Sequence, residues 1–188
     1  ELFSENLSDT QKAALKGGTN LVDAADVVNW VRGDQSKEEA NGGAFRDRRK
    51  RLGDIVNSDP VFVGVEDYGY GSAGVLDLSA RQAYVERKSK KEFKNRKRML
   101  YVGSNDGMLH GFNAETGVEE FAYIPHLIGF DNLFRLTQPS YSHRYLVDGP
   151  ARVADAYMDG AWKTVLVGST GAGGKGYFAL DVENPEAM

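Results

Sequence analysis

Apolar residues and turn residues alternate most clearly over residues 98–117, RMLYVGSNDGMLHGFNAETG. Two apolar runs, residues 99–103 and residues 108–113, have the composition of β-strands. The Ser-Asn-Asp-Gly segment between them favours a tight hairpin, because Gly107 can take a positive φ without a Cβ clash and Asp106 tolerates the left-handed region. The pattern predicts an antiparallel strand pair at the centre of the chain.

Helical periodicity replaces strand alternation in the N-terminal part of the chain. Ser8 and Gln11 have the spacing of a capping box, which predicts a short helix over residues 9–16. From Leu21 onward the apolar residues recur at i, i+3, i+4 and i+7, which predicts an amphipathic helix that Gly33 ends. The polar stretch after this helix is predicted to be a loop.

Further strands are predicted on both sides of the central hairpin. Pro60 precedes a short apolar run and indicates an edge strand over residues 60–64, and residues 119–125 alternate well enough for a third sequential strand. The resulting four strands are the number in one blade of a β-propeller. A second cycle of strands is predicted at residues 151–158, 162–168 and 177–182, with Asp159 and Gly160 as a hairpin turn.

An internal repeat supports this division into two cycles. The sequence LYVGS at residues 100–104 is matched by VLVGS at residues 165–169, an offset of 65 residues. Propeller repeats usually run about 40 to 50 residues. The extra length is assigned to an insertion at residues 126–146, which contains one helix-like patch at residues 126–136.

Another insertion lies earlier in the chain, at residues 65–98, and ends in a basic run; it is called the first insertion, and residues 126–146 are called the second. Eight of the twelve positions from residue 87 to residue 98 are Lys or Arg. Such a run can bind an anionic surface, either membrane headgroups or nucleic acid. Because the surrounding chain is acidic and few aromatic residues interleave with the charges, a solvated helix or loop between two strands is favoured.

Composition narrows the class of protein. The 188 residues are enough for one domain or two small ones, and 22 Gly, nine Phe and nine Tyr favour β structure with many turns. The net charge of -4 argues against a general nucleic-acid binder. The absence of cysteine excludes disulfides and thiolate metal sites.

Targeting signals are not recognisable in the sequence. No apolar run reaches the roughly 18 to 20 residues that span a bilayer, and the N-terminus lacks the basic and apolar regions of a signal peptide. The chain begins at Glu1 and is interpreted as an internal piece of a longer, exported polypeptide.

One glycine-rich motif invites a nucleotide-binding interpretation. Residues 171–176, GAGGKG, match the dinucleotide fingerprint literally, but they lead into a predicted strand, whereas the fingerprint requires a helix N-terminus. Lys175 is followed by Gly176 instead of Ser or Thr, which excludes a P-loop. The motif therefore predicts a hairpin between two blade strands.

The histidines and acidic residues were considered as catalytic or metal-binding groups. His110 shares a strand face with Met108 and Phe112, which favours a packed, hydrogen-bonded histidine over a ligand or base. Ser142, His143 and Asp148 are close in sequence, but no nucleophile elbow accompanies them. No segment fits the calcium loop D-x-[DN]-x-[DN]-G. No catalytic, cofactor-binding or metal-binding residue is predicted.

Seven segments in chain order carry a family resemblance: VRGD (31–34), RDRRKRLGD (46–54), NSDPVFVG (57–64), YVGSNDGMLHGFNAETG (101–117), FAYIP (121–125), SHRYLVDG (142–149) and WKTVLVGSTGAGGKGYFALDV (162–182). Together they resemble the start of the C-terminal β-propeller of the PilC/PilY family of type IV pilus assembly proteins and tip adhesins. The resemblance covers residues 27–182.

The resemblance implies a non-enzymatic binding and assembly module on the bacterial cell surface, at the pilus tip or outer membrane. Its implied roles are pilus biogenesis, extension and retraction, adhesion and twitching motility. Its implied partners are minor and major pilins and host-cell surface receptors, with no nucleic acid and no transmembrane segment. Family members have a calcium-binding loop in the propeller region, and its absence here places any calcium control elsewhere in the parent protein.

The sequence thus predicts a mainly β fold, a partial, truncated β-propeller with quinoprotein-like blades, short N-terminal helices and long insertions. Residues 1–54 are assigned to a helical lead-in segment and residues 55–188 to the first blades of an incomplete propeller. Residues 81–98 and 127–145 are predicted to contact partners. Two alternatives remain: a structural propeller of cell-envelope assembly, and a quinoprotein enzyme, which would require a cofactor and calcium.

Overall fold

The strands form two antiparallel sheets in a computed structural model that describes residues 6–19 and 22–187. The first sheet has four strands in chain order, β1 (Val61–Val63), β2 (Met99–Gly103), β3 (Leu109–Asn113) and β4 (Glu119–Tyr123). The second has three, β5 (Ala151–Met158), β6 (Ala161–Ser169) and β7 (Tyr177–Asp181). Each predicted strand is present, and the repeated segments lie on β2 and β6, the second strand of each sheet.

Five α-helices precede or interrupt the strands in the described part of the chain: α1 (Asp9–Leu15), α2 (Ala24–Val31), α3 (Leu78–Ser89), α4 (Lys91–Lys94) and α5 (Phe130–Leu136). The predicted capping box is present, because Ser8 Oγ accepts from the Gln11 amide at 3.3 Å and Gln11 Oε1 accepts from the Ser8 amide at 2.9 Å. The second helix begins at Ala24, with Asp23 as its N-cap. Leu21, where the helical pattern was predicted to start, lies outside the described residues.

The central hairpin turns over three residues. Gly107 has a φ of 93°, and its amide donates to the Ser104 carbonyl at 3.2 Å. The prediction that Asp106 uses its tolerance for the left-handed region is wrong, since Asp159 is the only described non-glycine residue with positive φ. Asp106 instead accepts from the Met108 amide at 3.2 Å through its side chain, which stabilises the turn.

Valine at Gly107 or Gly160 is expected to destabilise the propeller domain, each by about 1–3 kcal/mol, because a β-branched residue resists the positive φ of these turns. A Cβ at Gly107 would also lie 3.1 Å from Leu133 Cδ2, whereas one at Gly160 meets nothing within 4 Å. Gly107→Val should therefore lower the free energy of unfolding, measured with denaturant, by more than Gly160→Val does. Gly74→Ala is the control, because Gly74 has no positive φ and open surroundings, and equal stability of all three variants would contradict the turn assignments.

Two clusters of buried side chains form the core. One lies among the strands and includes Met99, Tyr101 and Leu166. The other joins helices α1 and α2 to the second insertion, with Leu15, Val27, Trp30, Leu133 and Leu136 among its members. The insertion at residues 126–146 is therefore packed against the lead-in helices, and α5 supplies two fully or nearly fully buried leucines.

The first insertion packs on the second sheet through aromatic side chains. The indole N–H of Trp162, on β6, donates to the Ala80 carbonyl of α3 at 2.7 Å. The Trp162 ring stacks on Tyr70 at 5.1 Å between centroids and meets Tyr84 edge-on at 4.8 Å. Burial raises the pKa of Tyr84 well above its usual range, in accord with a phenol held inside this aromatic cluster.

Candidate functional site

The candidate catalytic residues His143 and Asp148 have different partners in the structure. His143 Nε2 lies 2.8 Å from Asp54 Oδ2 and is half exposed. Asp148 is buried and accepts from the Asn57 side-chain amide at 2.6 Å. The histidine and Asp148 therefore do not form the His–Asp pair of a Ser-His-Asp triad. The glycine-rich motif forms a single 3-10 turn, Gly171–Gly173, and leads into β7, so no helix N-terminus faces a phosphate position there.

His110 is buried between two carboxylates, as its strand position predicted for a hydrogen-bonded histidine. Its Nδ1 lies 2.5 Å from Glu119 Oε1 and its Nε2 lies 3.0 Å from Asp106 Oδ2. Burial by itself lowers the pKa of His110, but the hydrogen bonds to Asp106 and Glu119 outweigh it and raise the pKa to about 9. The imidazole is consequently a charged link between the hairpin turn and β4 at neutral pH.

A polar network holds the lead-in segment on the central hairpin. Asn105, 2% exposed, donates its side-chain N–H to Asp54 at 3.0 Å and accepts from the Leu146 amide at 3.0 Å. The Gly53 amide donates to Asp106 at 2.8 Å. Sequence reasoning assigned Asn105 only to the turn and missed its role as a link among the lead-in, the hairpin and residue 146. The sequence carries only a weak signal for this linking role of Asn105, because Asn is common in any turn.

Arg87 lies at the centre of a buried ion cluster that joins α3 to the second sheet. Its Nε donates to Glu183 Oε1 at 2.9 Å, and its Nη2 donates to Glu183 Oε2 at 2.5 Å. Nη2 also donates to Asp155 Oδ1 at 3.2 Å and to Thr164 Oγ1 at 2.7 Å. Burial lowers the pKa of Arg87, but the hydrogen bonds to Glu183 and Asp155 outweigh it, so the pKa is raised and the guanidinium stays charged.

Two more basic residues of the first insertion belong to this cluster. Lys88 Nζ lies 2.8 Å from Asp155 Oδ2, and Arg96 donates to the Val182 carbonyl at 2.7 Å. Burial raises the pKa of Asp155, but hydrogen bonds from Arg87 and Lys88 outweigh it and lower the pKa. The basic run was predicted to be a solvated helix or loop, and it begins in α3 and continues through α4. The prediction that its charges are simply solvated is wrong for these three residues. Their partners lie far along the chain, beyond the reach of local pattern.

The predicted contact segments, residues 81–98 and 127–145, are partly built into the core. Within residues 81–98, Tyr84, Arg87 and Phe93 are buried. Within residues 127–145, Leu133 and Leu136 belong to the core. Removing either segment would remove core side chains, so only the outward side chains of each insertion are available to a partner. On the first insertion, residues 65–98, these side chains include Val75, Leu78 and Val85, which are more than half exposed.

A cleft of about 350 Å³ lies between the lead-in segment and the central hairpin. Trp30, Val31, Met108, Leu136 and Tyr141 form its apolar and aromatic walls. Residues 46–54, RDRRKRLGD, form its charged side. The volume is at the lower end of the range of ligand pockets, about 300–1,000 Å³. The cleft thus combines apolar walls with a strongly basic segment.

The described residues show neither a metal cluster nor a membrane-spanning helix. No group of three or more His, Cys, Asp or Glu residues in the described ranges is arranged to hold a metal ion. These residues therefore do not fit the calcium loop or the calcium-dependent cofactor site that the family resemblance and the quinoprotein alternative imply. None of the helices within residues 6–19 and 22–187 has the length and apolar character to cross a bilayer.

The two sheets, their strand order and the helices packed on them define a β-propeller domain of which the described residues form no closed ring. A family model described as "PilY1 beta-propeller domain" matches residues 52–187. The chain belongs to this family of PilY1 propeller domains, which confirms the predicted mainly β, partial propeller and the PilC/PilY resemblance.

Curated relatives carry the same name. The chain is 47% identical over 165 residues to the type IV pilus biogenesis factor PilY1 of Pseudomonas aeruginosa strain UCBPP-PA14, covering 86% of this chain and 13% of that protein. It is 43% identical over 188 residues to PilY1 of strain PAK, covering 96% and 16%. A PilY1 homolog of Xylella fastidiosa is 42% identical over 169 residues, covering 86% and 11%. The chain therefore spans less than a fifth of the length of these relatives.

The chain is also similar to a solved structure. The crystal structure of the Pseudomonas aeruginosa PilY1 C-terminal domain is 40% identical in sequence, with a TM-score of 0.47, over 66% of this chain and 23% of that chain.

Proposed function

We propose that this chain is part of a type IV pilus biogenesis factor that works by binding and assembly and catalyses no reaction. The observation that carries the proposal is the 47% identity to a PilY1 protein over 86% of the chain, together with the family match over residues 52–187. The pairing of His110 and His143 with carboxylates of the fold supports a structural use of these groups. Family membership favours this class over a structural envelope propeller or a quinoprotein enzyme.

The finer roles belong to the same proposal. The parent protein acts at the bacterial cell surface, at the pilus tip or outer membrane, where it supports pilus extension and retraction, adhesion and twitching motility. Its partners are minor and major pilins and host-cell surface receptors. Calcium control resides in another part of the parent protein. Propellers bind partners through surfaces at the ends of their blades, and the outward side chains of the two insertions offer such surfaces here.

Deletion and complementation of the gene test the proposal. We expect the deletion strain to lose surface pili, twitching motility and adhesion, because assembly lacks one of its components. The gene at its natural length should restore all three. Counting pili by electron microscopy, beside assays of twitching and of adhesion to cultured cells, separates assembly from adhesion. Wild-type pili, twitching and adhesion in the deletion strain would contradict the proposal.

A further inference from the structure

Three consecutive basic residues at the cleft, Arg49, Lys50 and Arg51, are exposed and have no hydrogen bond or ion pair within the described ranges. The preceding arginine is different, because Arg48 donates to Glu38 at 2.7 Å, to the Trp30 carbonyl at 2.7 Å and to the Asp34 carbonyl at 2.9 Å. Arg48 thus fixes the backbone of this segment. The next three side chains project a net charge of +3 that the fold does not use.

The acidic residues that line the cleft have partners of their own and form no ion pair with Arg49, Lys50 or Arg51. Asp54 pairs with Asn105 and His143. Asp106 pairs with His110 and accepts from the Gly53 amide. Asp47 accepts from the Ala40 amide at 2.9 Å. Arg49, Lys50 and Arg51 are therefore three cationic side chains that are available to a ligand.

Repulsion among the arginines adds to the unbalanced charge. Burial lowers the pKa of Arg48, and although Glu38 opposes the effect, the neighbouring Arg46 and Arg51 lower it further. A bound anion near Arg51 would offset this repulsion. Arg51 is also partly positioned, since its Cδ lies against Gly33, where an added Cβ would be 3.2 Å away. A guanidinium with a positioned stem loses less conformational entropy when it binds a carboxylate.

The apolar side of the cleft carries an unused donor. Trp30 is 3% exposed, and its indole Nε1–H has no hydrogen-bond acceptor in the described part of the chain. The N–H is itself inaccessible to solvent, so it is not a contact point for a ligand in the cleft. Arg46 stacks on Tyr141 with its Cζ 4.6 Å from the ring centroid, which leaves a flat cationic and aromatic surface beside Trp30.

We propose that this cleft binds an acidic peptide segment of a protein partner, in which carboxylates contact Arg49, Lys50 and Arg51 and an apolar side chain enters between Trp30 and Met108. A polyanion such as nucleic acid fits less well, because the chain has a net charge of -4. The partner is a pilus subunit, which is the one point at which this inference rests on the proposed function.

The first test is peptide binding by the purified full-length protein. The probe is a dye-labelled synthetic peptide of alternating Glu and Leu, followed by fluorescence anisotropy, with a Lys and Leu peptide of equal length as the reversed-charge control. We expect the acidic peptide to bind with a salt-dependent Kd and the basic one not to bind. The triple variant R49Q/K50Q/R51Q should bind the acidic peptide about tenfold or more weakly, because charge-assisted hydrogen bonds are lost.

The matched control is R152Q/K163Q/K175Q, which removes the same charge from exposed or partly exposed positions outside both insertions, on β5, on β6 and in the glycine-rich loop. It should change the Kd by less than about twofold, because long-range charge contributes little at physiological salt. Equal weakening in both variants, or no binding of the acidic peptide by the wild-type protein, would overturn the proposal. Binding of phosphatidylglycerol vesicles but not of the peptide, with the same dependence on residues 49–51, would overturn it in favour of a lipid surface.

A second readout separates this inference from the proposed function. The strain carrying R49Q/K50Q/R51Q should have fewer surface pili, while its protein is exported at wild-type level and the R152Q/K163Q/K175Q strain is unaffected. Normal piliation in the triple variant, with peptide binding lost, would overturn the assignment of the partner as a pilus subunit. Loss of pili in the gene deletion alone, with no peptide binding by the wild-type protein, would overturn the cleft and leave the pilus function in place.

Discussion

Replacing Arg87 by alanine is expected to destabilise the propeller domain by about 3–5 kcal/mol, because the change removes its hydrogen bonds to Asp155 and Glu183 and leaves Lys88 as the remaining ion-pair partner of the buried Asp155. The guanidinium also stacks on Phe93, with its Cζ 4.6 Å from the ring centroid, so packing is lost together with charge. Chemical denaturation of the domain that contains this chain measures the loss as a lower midpoint with an unchanged slope.

Arg98→Ala is the matched control for this experiment. Arg98 also pairs with a carboxylate, Glu115, at 2.7 Å, but both side chains are about half exposed. Such pairs contribute at most about 1 kcal/mol. A second control is Asp155→Asn, which should cost less in the Arg87→Ala background than in the wild type, because the two residues share one interaction. Equal destabilisation by Arg87→Ala and Arg98→Ala would show that the buried cluster does not hold the insertion.

Stability of the propeller domain is expected to decrease as the pH rises through about 9, because His110 loses its proton there. Its pKa is about 9 in the folded chain and 6.5 as the reference value. Because the pKa of His110 is higher in the folded chain than in the unfolded chain, its proton stabilises the fold. This stabilisation is fully present below pH 6.5 and is lost between pH 6.5 and about 9. The shift corresponds to roughly 3 kcal/mol. His110→Gln should remove most of this pH dependence and be most destabilising near pH 6.

His143→Gln serves as the control for the histidine experiment. His143 is paired with Asp54, but both side chains are about half exposed, so its loss should cost less than about 1 kcal/mol and leave the alkaline decrease unchanged. The test is to measure unfolding midpoints from pH 5 to pH 10 for the wild-type protein, His110→Gln and His143→Gln. A wild-type profile that is flat between pH 6.5 and 9.5, or one that His143→Gln flattens instead, would contradict the assignment to His110.

The strands could be predicted from the sequence because their signals are local. Gly107 and Gly160 mark hairpin turns, and the alternation around them defines the flanking strands, so β2, β3, β5 and β6 are found within a residue or two of their predicted limits. The repeated YVGS and LVGS segments then give the division into two sheets. Each of these signals depends on neighbours only a few residues away.

The ion cluster and the cleft could not be predicted because their contacts are distant in sequence. Arg87 is 96 residues from Glu183 and 68 from Asp155, so the basic run looks unpaired when the sequence is examined locally. Asn105 likewise contacts Asp54, 51 residues away. The same limit applies to residues 49–51, whose free charge becomes evident only when the partners of the neighbouring Arg48 are known.

Hydrogen–deuterium exchange of the full-length protein tests most directly whether the insertions are integral parts of the partial propeller. Helix α3 packs on β6 through Trp162 and the Arg87 cluster, so its amides should exchange as slowly as those of β6, whereas the exposed residues 49–52 should exchange quickly. Exchange of α3 at the rate of residues 49–52, with β6 still protected, would show that the first insertion is a separate loop and would contradict the structure described for it.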